Sequence, residues 1–346
     1  MIDIGVRARD TKEIMMFKND PGYEFVFIST RNFKENHHYV PYVKHYLVDD
    51  SNISKFTDKV ESICRNEKID IIHSHNWPDT YGSVAYDIRK RLGIPFVHEI
   101  HDTGYGNVIP QHKKSESDAI PNADALICVS PAMVDFVASR YPGIKSKTTV
   151  IYSYPNISLL PNIPKQIPER FAKGVYQGGV NPKLRSGSTH NHRYYAEIFK
   201  SLVSNRGISL DVYPVSPKVS YNIPNVIFKP KLPVSELYEA ISKYHFGFVG
   251  YYRTGSPILD MALPNKLFEY IACGIPVVSM KYRSMEAFIN KTGTGVVVDD
   301  NLRLPPDFQK RMANAKRKCI LSGRDYVMEK QKNKLQLLYK RCGGKK

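Results

Sequence analysis

Cysteine is scarce in this sequence, and the cysteines present are far apart. Only five occur among 346 residues, and none forms a Cys-x-x-Cys pair. An odd, scattered set of this kind argues against both a disulfide framework and a zinc knuckle. We therefore expect buried, reduced thiols at Cys64, Cys128, Cys273, Cys319 and Cys342.

Long apolar runs are also missing. The longest, "ADALICVS" and "IPVVSM", are far shorter than the roughly 20 residues that cross a bilayer. The first ten residues, "MIDIGVRARD", lack the charged-then-apolar pattern of a secretion signal. From these absences we expect a cytoplasmic protein.

Acidic residues are few relative to basic ones. There are 33 acidic residues against 50 Lys and Arg, a net charge of +17. This excess suits an anionic partner, although lysines dispersed over a solvated surface would give the same count. The positive residues are not gathered in one arm and no nucleic-acid reading module is recognisable, so we predict no nucleic-acid partner. If the charge serves a function, we favour peripheral contact with an anionic membrane or a lipid-phosphate acceptor.

The order of predicted elements indicates two α/β units. Strand-like runs alternate with helical patterns, which is typical of parallel sheets with crossover helices. The proline-rich stretch 154–168 interrupts the alternation, which then restarts. A length of 346 residues is enough for about two domains. A last helix, about 323–341, has an apolar face that needs a partner surface.

Three segments of the second unit place polar or small residues after predicted strands. In open α/β sheets, ligands bind outside the carboxyl ends of the strands. One segment, "VYQGGVNPKLR", offers two glycines followed by two cations, and another, "VIFKPKLP", exposes main chain where its strand ends. The residues singled out in these two segments are Gly178, Gly179, Lys183, Arg185, Phe228, Lys229 and Pro230.

The third segment is "LPNKLFEYIACGIPVVS", residues 263–279. Residues three apart share one face of a helix, so Lys266 and Glu269 point together, and the helix N-terminus suits a phosphate. The three segments predict a nucleotide-diphosphate site. In it Glu269 accepts from the ribose hydroxyls, Lys266, the two glycines and Arg185 hold the pyrophosphate, and main chain 228–231 contacts the base. The alternative is an exposed Lys266–Glu269 ion pair.

At this point the sequence resembles a known family. "PNKLFEYIACGIPVVS" closely resembles the nucleotide-sugar motif of GT-B glycosyltransferases, in particular the large retaining group that includes sucrose synthases, bacterial mannosyltransferases and lipopolysaccharide glucosyltransferases. Further segments agree in order over nearly the whole chain: "DIIHSHN", "GIPFVHEIHD", "ADALICVSPAMVDFV", "VYQGGV" and "DYVMEKQKNKLQLLYK".

The resemblance implies an α/β protein of GT-B fold, with two Rossmann-like domains facing across a cleft. Residues 1–160 would form the acceptor-side domain, 161–324 the nucleotide-sugar domain, and 325–346 a helix packing back on the first. It implies transfer of a hexose from a donor of UDP-glucose or GDP-mannose type to a hydroxyl of a glycan, glycolipid or glycoprotein. Retention is expected, with a leaving-group oxygen taking the acceptor proton, so that neither a metal nor another cofactor is required.

The resemblance also carries over to individual residues. Glu269 matches the ribose-binding glutamate, and His101, next to Asp102, matches a histidine beside the donor sugar. Many members have a second glutamate where Met261 stands, and Asp260 is the expected substitute. The predicted catalytic residues are His101, Asp102 and Lys266, and the predicted nucleotide-sugar-binding residues are Gly178, Gly179, Lys183, Arg185, Phe228, Lys229, Pro230, Asp260, Asn265, Lys266, Leu267 and Glu269.

The first half departs from the family pattern in two places. The usual glycine-rich loop after the first strand is replaced by a segment with Arg7 and Arg9. The histidines of "HSH" and "HEIH" look like metal ligands at first, but HEIH lacks the i,i+4 spacing of a helical HExxH site. We therefore predict no metal, and we interpret His98 as a hydrogen-bonded core histidine, on the opposite strand face from Glu99 and His101.

Two other functions stay open at this level. A nucleotide-sugar epimerase of GT-B fold would need paired carboxylates, and Glu99 with Asp102 is the only candidate pair in the first half. A basic nucleic-acid-binding protein is the second alternative. The sequence gives no indication of oligomeric state.

Overall fold

The computed structural model describes residues 1–3, 8–30, 43–76, 79–102, 110–188, 190–216 and 219–343. Contacts divide the chain into two compact units. Unit 1 comprises Met1–Ser153 together with Met328–Lys346, and unit 2 comprises Tyr154–Val327. The chain therefore passes from the first unit to the second where the proline-rich stretch begins, and it later returns to the first.

Unit 1 is built on a sheet of seven parallel strands in the order β3-β2-β1-β4-β5-β6-β7. Most central strand residues are buried. The strands are β1 (Ile2–Asp3), β2 (Val26–Ser29), β3 (Lys44–Leu47), β4 (Ile72–His75), β5 (Phe96–Ile100), β6 (Ala125–Cys128) and β7 (Thr148–Val150), and the helices are α1 (Ala8–Met15), α2 (Ile53–Asn66), α3 (Thr80–Leu92), α4 (Pro110–Asn122), α5 (Pro131–Arg140) and, from the end of the chain, α12 (Lys332–Arg341).

Local sequence explains where these helices begin and end. The Asn52 side chain accepts a hydrogen bond from the Lys55 amide and so caps α2, and Ser130 caps α5 in the same way from just before Pro131. Such caps satisfy amides that the first turn leaves without partners. Helix α3 ends at Gly93, which adopts a left-handed conformation.

Unit 2 has six parallel strands in the order β10-β9-β8-β11-β12-β13. The strands are β8 (Lys173–Gly178), β9 (Ser209–Pro214), β10 (Val226–Phe228), β11 (Phe246–Val249), β12 (Val277–Met280) and β13 (Gly295–Val298), and the helices are α6 (Ala196–Val203), α7 (Val234–Ile241), α8 (Pro257–Met261), α9 (Asn265–Ala272), α10 (Arg283–Thr292) and α11 (Phe308–Ser322).

Both sheets share one topology. In each, the first three strands are laid down outward from the first strand, and the fourth returns to its other side, which is the order of dinucleotide-binding α/β folds. The order reverses between β1 and β4 in unit 1 and between β8 and β11 in unit 2. Ligands of such sheets bind beyond the carboxyl ends of the strands at this switch point, so β4 and β8 are the strands to follow. The predicted α/β class with two parallel-sheet units is confirmed.

Several predicted elements were wrong in extent. The segment "IDIGVRA", residues 2–8, is strand-like in sequence, but β1 is Ile2–Asp3 and Ala8 begins helix α1. The single last helix, 323–341, is instead two short 3-10 segments, Gly323–Asp325 and Met328–Gln331, followed by α12. The helices named from the sequence did not include α1, α4, α8 or α11. Helix α4 contains an internal proline, Pro121, and its sequence is mostly polar.

The predicted thiols and the lack of membrane spans can also be compared with the structure. All five cysteines are free, and all but Cys342 are buried, as expected. Within the described ranges, no helix has the length and apolarity to cross a bilayer.

A close approach between β11 and α9 positions the helix that carries Lys266 and Glu269. The Tyr270 ring lies against Gly247, so closely that a Cβ atom there would be 2.1 Å from Cδ2 of the ring. The Tyr270 hydroxyl in turn accepts a hydrogen bond from the Gln177 amide of β8. Glycine at position 247 therefore allows α9 to pack directly on the sheet.

We expect Gly247→Ala to lower the free energy of unfolding by about 1–3 kcal/mol, because the fully buried Tyr270 ring has nowhere to move. Urea unfolding would measure this change. Gly22→Ala is the matched control, since Gly22 is exposed and its nearest contact is a side-chain oxygen 3.3 Å away; it should change stability by less than about 0.5 kcal/mol. Equal effects of the two substitutions would contradict this account.

Candidate functional site

The carboxyl end of β8 brings the Gly-Gly turn and the lysine of α9 together. Gly178 has a φ of 134°, a conformation that favours glycine. A Cβ atom at this position would lie 3.0 Å from Nζ of Lys266. A side chain at residue 178 would therefore both strain the backbone and displace the ammonium group, so the prediction that Lys266 and this turn are neighbours is confirmed by the geometry.

The Lys266 ammonium lies over an aromatic face. Its Nζ is 3.9 Å from the centre of the Tyr176 ring and 5.9 Å from that of Tyr195. Burial, together with the nearby Arg193 guanidinium, lowers the pKa of Lys266 to about 7, although Glu269 opposes the change. An amine with a pKa near 7 is only partly protonated at neutral pH, and an approaching anion favours its charged form.

The Glu269 carboxylate is buried and oriented by two donors. Gln177, the residue before the Gly-Gly turn, donates to one oxygen at 2.6 Å, and the Tyr238 hydroxyl on α7 donates to the other at 2.9 Å. Neither donor was predicted from the sequence. Gln177 stands in the quoted motif "VYQGG" and could have been noticed, whereas nothing in the sequence of α7 links Tyr238 to α9.

The two cations predicted after the Gly-Gly turn lie in an exposed loop. Lys183 and Arg185 are both exposed, and the Arg185 main chain is bonded to the Asn191 side chain in both directions, at 2.9 and 2.7 Å. A different cation lies beside the turn. Cδ of Arg193 is 3.1 Å from where a Cβ of Gly179 would be, so Arg193 is the cation near Lys266 that the sequence reasoning missed.

The end of β10 is held mainly by structural contacts. Nζ of Lys229 is 3.3 Å from Asp211, and the Lys229 amide donates to the Val212 carbonyl. Phe228 is partly buried with its ring edge-on to Tyr221, and Pro230 is exposed. The Lys229 side chain thus holds β10 to β9, and a base contact here remains a prediction about main chain.

The remaining predicted residues around α9 differ in exposure. Asp260 is exposed and Met261 is buried, so the carboxylate expected to replace the family's second glutamate does lie on the surface. Asn265 is partly exposed at the start of α9. Leu267 is wholly buried and its amide donates to Pro264, so its side chain belongs to the core.

In unit 1, the end of β5 is fixed by the Asn76 side chain. Its oxygen accepts from the amides of His101, at 2.7 Å, and Asp102, at 3.3 Å, and its nitrogen donates to the Asp102 carbonyl. Nε2 of His101 lies 2.9 Å from Glu99, and the His101 side chain is 23% exposed. His101 and Asp102 are therefore positioned residues at the edge of the sheet, and their catalytic role remains a prediction.

Behind His101 lies a buried group of charges that the sequence analysis did not assemble. The Arg9 guanidinium is 2.7 Å from Glu99 and 2.9 Å from Glu13. Burial alone would raise the pKa of Glu99, but Arg9 and then His101 hold it well below its usual range. Burial and the Glu99 charge raise the pKa of Glu13 well above its usual value. Arg7, singled out with Arg9, lies outside the described residues.

The histidines of the two strands separate as the strand alternation predicts. His98 is buried, with its ring bonded to Ser74 at 2.9 Å and to Asp79 at 3.1 Å, which confirms it as a core histidine. His73 and His75 lie on the other face with stacked rings whose centres are 4.5 Å apart. Burial lowers the pKa of both rings, most strongly for His75.

Comparison with protein families decides the assignment. Residues 20–154 match the model described as Glycosyltransferase Family 4, and residues 194–316 match the model described as Glucosyltransferase 3-like, C-terminal domain. The first match lies in unit 1 and the second in unit 2. The chain belongs to the GT-B glycosyltransferases. None of the curated proteins searched matches the sequence.

Solved structures share the fold of this glycosyltransferase over almost its full length. Anabaena HepE in complex with UDP-glucose is 12% identical with a TM-score of 0.69, and the match covers 99% of this chain and 98% of HepE. WaaG, a glycosyltransferase of lipopolysaccharide biosynthesis, is 12% identical with a TM-score of 0.63 and 99% coverage of both chains. A putative UDP-N-acetylglucosamine 2-epimerase from Listeria monocytogenes is 11% identical with a TM-score of 0.59, covering 98% of this chain and 94% of its own. At these identities the similarity shows the fold alone.

We expect Arg9→Met to lower the free energy of unfolding of this glycosyltransferase by about 3–5 kcal/mol, because it leaves Glu13 and Glu99 buried without their cation. Arg65→Met is the matched control: Arg65 is 61% exposed and pairs with Glu61 one turn away. Its loss should cost less than about 1 kcal/mol. Urea unfolding of both variants measures the difference, and an Arg9 variant as stable as the control would show that the buried pair has no stabilising role.

Proposed function

We propose that this glycosyltransferase moves a hexose from a nucleotide-diphosphate sugar to an acceptor hydroxyl, with retention of anomeric configuration. The observation that carries the proposal is the arrangement at the carboxyl end of β8. There the Gly-Gly turn of β8, a strand at which the sheet order reverses, meets a lysine and a buried, oriented carboxylate of α9.

The proposed ribose contact is Glu269. A carboxylate accepts up to about four hydrogen bonds, which lets it serve two adjacent hydroxyls while protein donors hold it. Gln177 and Tyr238 fix its orientation from opposite oxygens. This prearrangement lowers the cost of ordering the side chain when the nucleotide binds.

The proposed diphosphate contacts are cationic and backbone groups. Lys266 lies in the first turn of α9, where the helix dipole also favours an anion. Arg193 and the amides of the Gly-Gly turn complete the set. During transfer, negative charge develops on the departing diphosphate, so groups fixed around it stabilise the transition state. A leaving-group oxygen then takes the acceptor proton, and no metal or dedicated base is needed at this step.

The proposed donor is a UDP- or GDP-linked hexose, and the proposed acceptor is a hydroxyl group. UDP-glucose is the first donor to try because HepE was solved with it, and GDP-mannose is the second. The acceptor is a hydroxyl of a glycan, glycolipid or glycoprotein, and His101 and Asp102 are the proposed catalytic residues of unit 1. The net charge of +17 fits an acceptor presented at an anionic surface.

The epimerase alternative is less well supported by unit 1. The epimerase neighbour shares the fold, and an epimerase needs carboxylates that reach the substrate. The carboxylate pair that the structure brings together is Glu13 and Glu99, and both side chains are fully buried against Arg9. Nucleotide release separates the two functions, since a transferase frees UDP or GDP in step with acceptor, whereas a 2-epimerase frees it without one.

We expect one nucleoside diphosphate, among UDP and GDP, to bind the wild-type protein by calorimetry, and Glu269→Gln to weaken it about 100-fold through the lost ribose contacts. The 2′-deoxynucleotide sharpens the test: the wild type should prefer the ribonucleotide, and the variant should bind both forms equally. Glu239→Gln, at an exposed glutamate of α7, is the matched control and should bind normally. If no nucleotide binds the wild type, or the variant keeps the ribose preference, the proposed site is wrong.

The lowered pKa of Lys266 predicts a pH dependence of donor binding. Diphosphate favours the charged ammonium, so binding raises a pKa that is about 7 in the free protein. Affinity for the nucleotide-sugar should therefore be highest below pH 7 and fall up to about tenfold per pH unit above it, with proton uptake on binding. Calorimetry between pH 6 and 9 measures both the affinity and the proton uptake.

Lys266→Arg provides the control for this pH effect, because a guanidinium stays charged throughout that range. The variant should bind the donor with an affinity that no longer varies with pH. A wild-type affinity that is flat across the range would instead show that Lys266 takes no part in holding the diphosphate.

A further inference from the structure

A second group of side chains, apart from the proposed donor site, carries chemistry that the proposed transfer does not use. Glu13 on α1, His73 and His75 on β4, and Glu99 on β5 are all buried in unit 1. One ligand atom can be chosen from each so that all four lie within 4.8 Å of one another. The strand β4 adjoins the position where the order of the sheet reverses.

Each of the two histidines has one ring nitrogen engaged and one left over. Nδ1 of His73 is 2.9 Å from the Tyr339 hydroxyl, and Nδ1 of His75 is 3.2 Å from Asp10. Nε2 of each ring is buried and has no hydrogen-bond partner among the described residues. Histidines that bind metals show this division, with the second nitrogen held by a carboxylate or another oxygen.

The two glutamates show the same division. Oε1 of Glu99 is 2.7 Å from Arg9 and 2.9 Å from His101, and Oε1 of Glu13 is 2.9 Å from Arg9. Within the described part of the chain, Oε2 of each glutamate is buried without a hydrogen-bond partner. Two carboxylate oxygens and two imidazole nitrogens are thus left unbonded in one buried volume.

These unbonded atoms face one another at distances suited to a small cation. Nε2 of His73 is 3.5 Å from Oε2 of Glu99, and Nε2 of His75 is 3.7 Å from Oε2 of Glu13. Ligand atoms around a tetrahedral zinc ion, with bonds of about 2.0–2.2 Å, lie about 3.4 Å apart. An ion could therefore be accommodated with small side-chain movements.

Charge also favours a divalent cation here. Three carboxylates, those of Glu13, Glu99 and Asp10, are buried close together here, and Arg9 pairs with the first two. A dipositive ion would offset the negative charge of these carboxylates when they are ionised, which a water molecule cannot do. Imidazole and carboxylate together are ligands that suit zinc.

We propose that Glu13, His73, His75 and Glu99 bind a zinc-type metal ion in four-coordinate N2O2 geometry. Asp10, Tyr339 and Arg9 orient the ligands from outside. The ion joins α1 to β4 and β5 within unit 1 and so has a structural role, separate from the metal-independent transfer proposed at unit 2. The HEIH spacing gave no sign of it, because the ligands come from three elements.

An approach to this site exists on the side of Tyr339. A cavity of about 510 Å³ in unit 1 is lined by His73 and Tyr339 together with residues of the loop before β2 and the end of α12. The cavity therefore reaches His73, one of the proposed ligands. The route passes through residues of unit 1 alone.

The test uses the full chain, stripped of metal by a chelator and then titrated with Zn²⁺ or Co²⁺. We expect one equivalent of Zn²⁺ to bind and to raise Tm, and Co²⁺ to give the intense visible absorption of four-coordinate sites. His75→Gln and Glu13→Gln should each weaken binding more than about 100-fold. His98→Gln is the matched control, because His98 is equally buried but both ring nitrogens already have partners, and it should bind as the wild type does.

A further variant tests the outer contacts. Tyr339→Phe removes only the hydroxyl bonded to His73 and should weaken metal binding about tenfold while leaving the visible Co²⁺ spectrum four-coordinate. A metal-free wild type that takes up neither ion, with unchanged Tm, would overturn the proposal, as would binding unaffected by both His75→Gln and Glu13→Gln. The wild-type titration decides the matter even if a ligand variant fails to fold.

Discussion

The constraint on which this structure depends is that every paired strand in both sheets runs parallel to its neighbours. Parallel strands cannot be joined by tight turns, so a crossover must return the chain to the same end each time. All carboxyl ends then lie along one edge of each sheet. The loops and helix starts that follow them are where side chains can gather without disturbing the packed core.

Each unit uses that edge differently. In unit 2 strand β8 ends in the Gly-Gly turn, which has no side chains, and the polar groups come from the neighbouring helix α9. In unit 1 the strands themselves carry the histidines and Glu99, and the other charges come from α1, the helix that follows β1. The first arrangement leaves backbone amides accessible to an anion, whereas the second surrounds a small buried volume with atoms that can coordinate or share protons.

Burial gives both groups their chemistry. A lysine placed over an aromatic face and beside another cation holds its proton less tightly than it would in water, and a carboxyl group beside another carboxylate holds its proton more tightly. In both cases a nearby residue of opposite charge limits the shift: Glu269 for Lys266, and Arg9 for Glu13. The charge of each group thus limits the pKa shift of its partner, and a substitution of one member changes the pKa of the other.

The sequence was most informative where local pattern decides structure. Among the described residues, the strands coincide with strand-like runs of the sequence, except that β3 begins one residue earlier, at Lys44, and Lys266, Glu269 and the Gly-Gly turn were placed by spacing and by family resemblance together. What it could not supply were partners far apart in the chain. Gln177 and Tyr238 meet Glu269 across 92 and 31 residues, and Arg9 meets Glu99 across 90. Such pairs depend on tertiary packing, and no local periodicity encodes them.

The return of the chain to unit 1 has a consequence for biosynthesis. Tyr339, Gln336 and Lys332 make contacts with His73 and Asp20, residues made long before them. Unit 2 is contiguous in sequence and so has all its residues available while translation continues, whereas unit 1 must wait for α12. The nascent protein would thus pass through a stage in which unit 2 is complete while unit 1 still exposes the surface that α12 covers. At that stage a chaperone would have the largest exposed surface to bind.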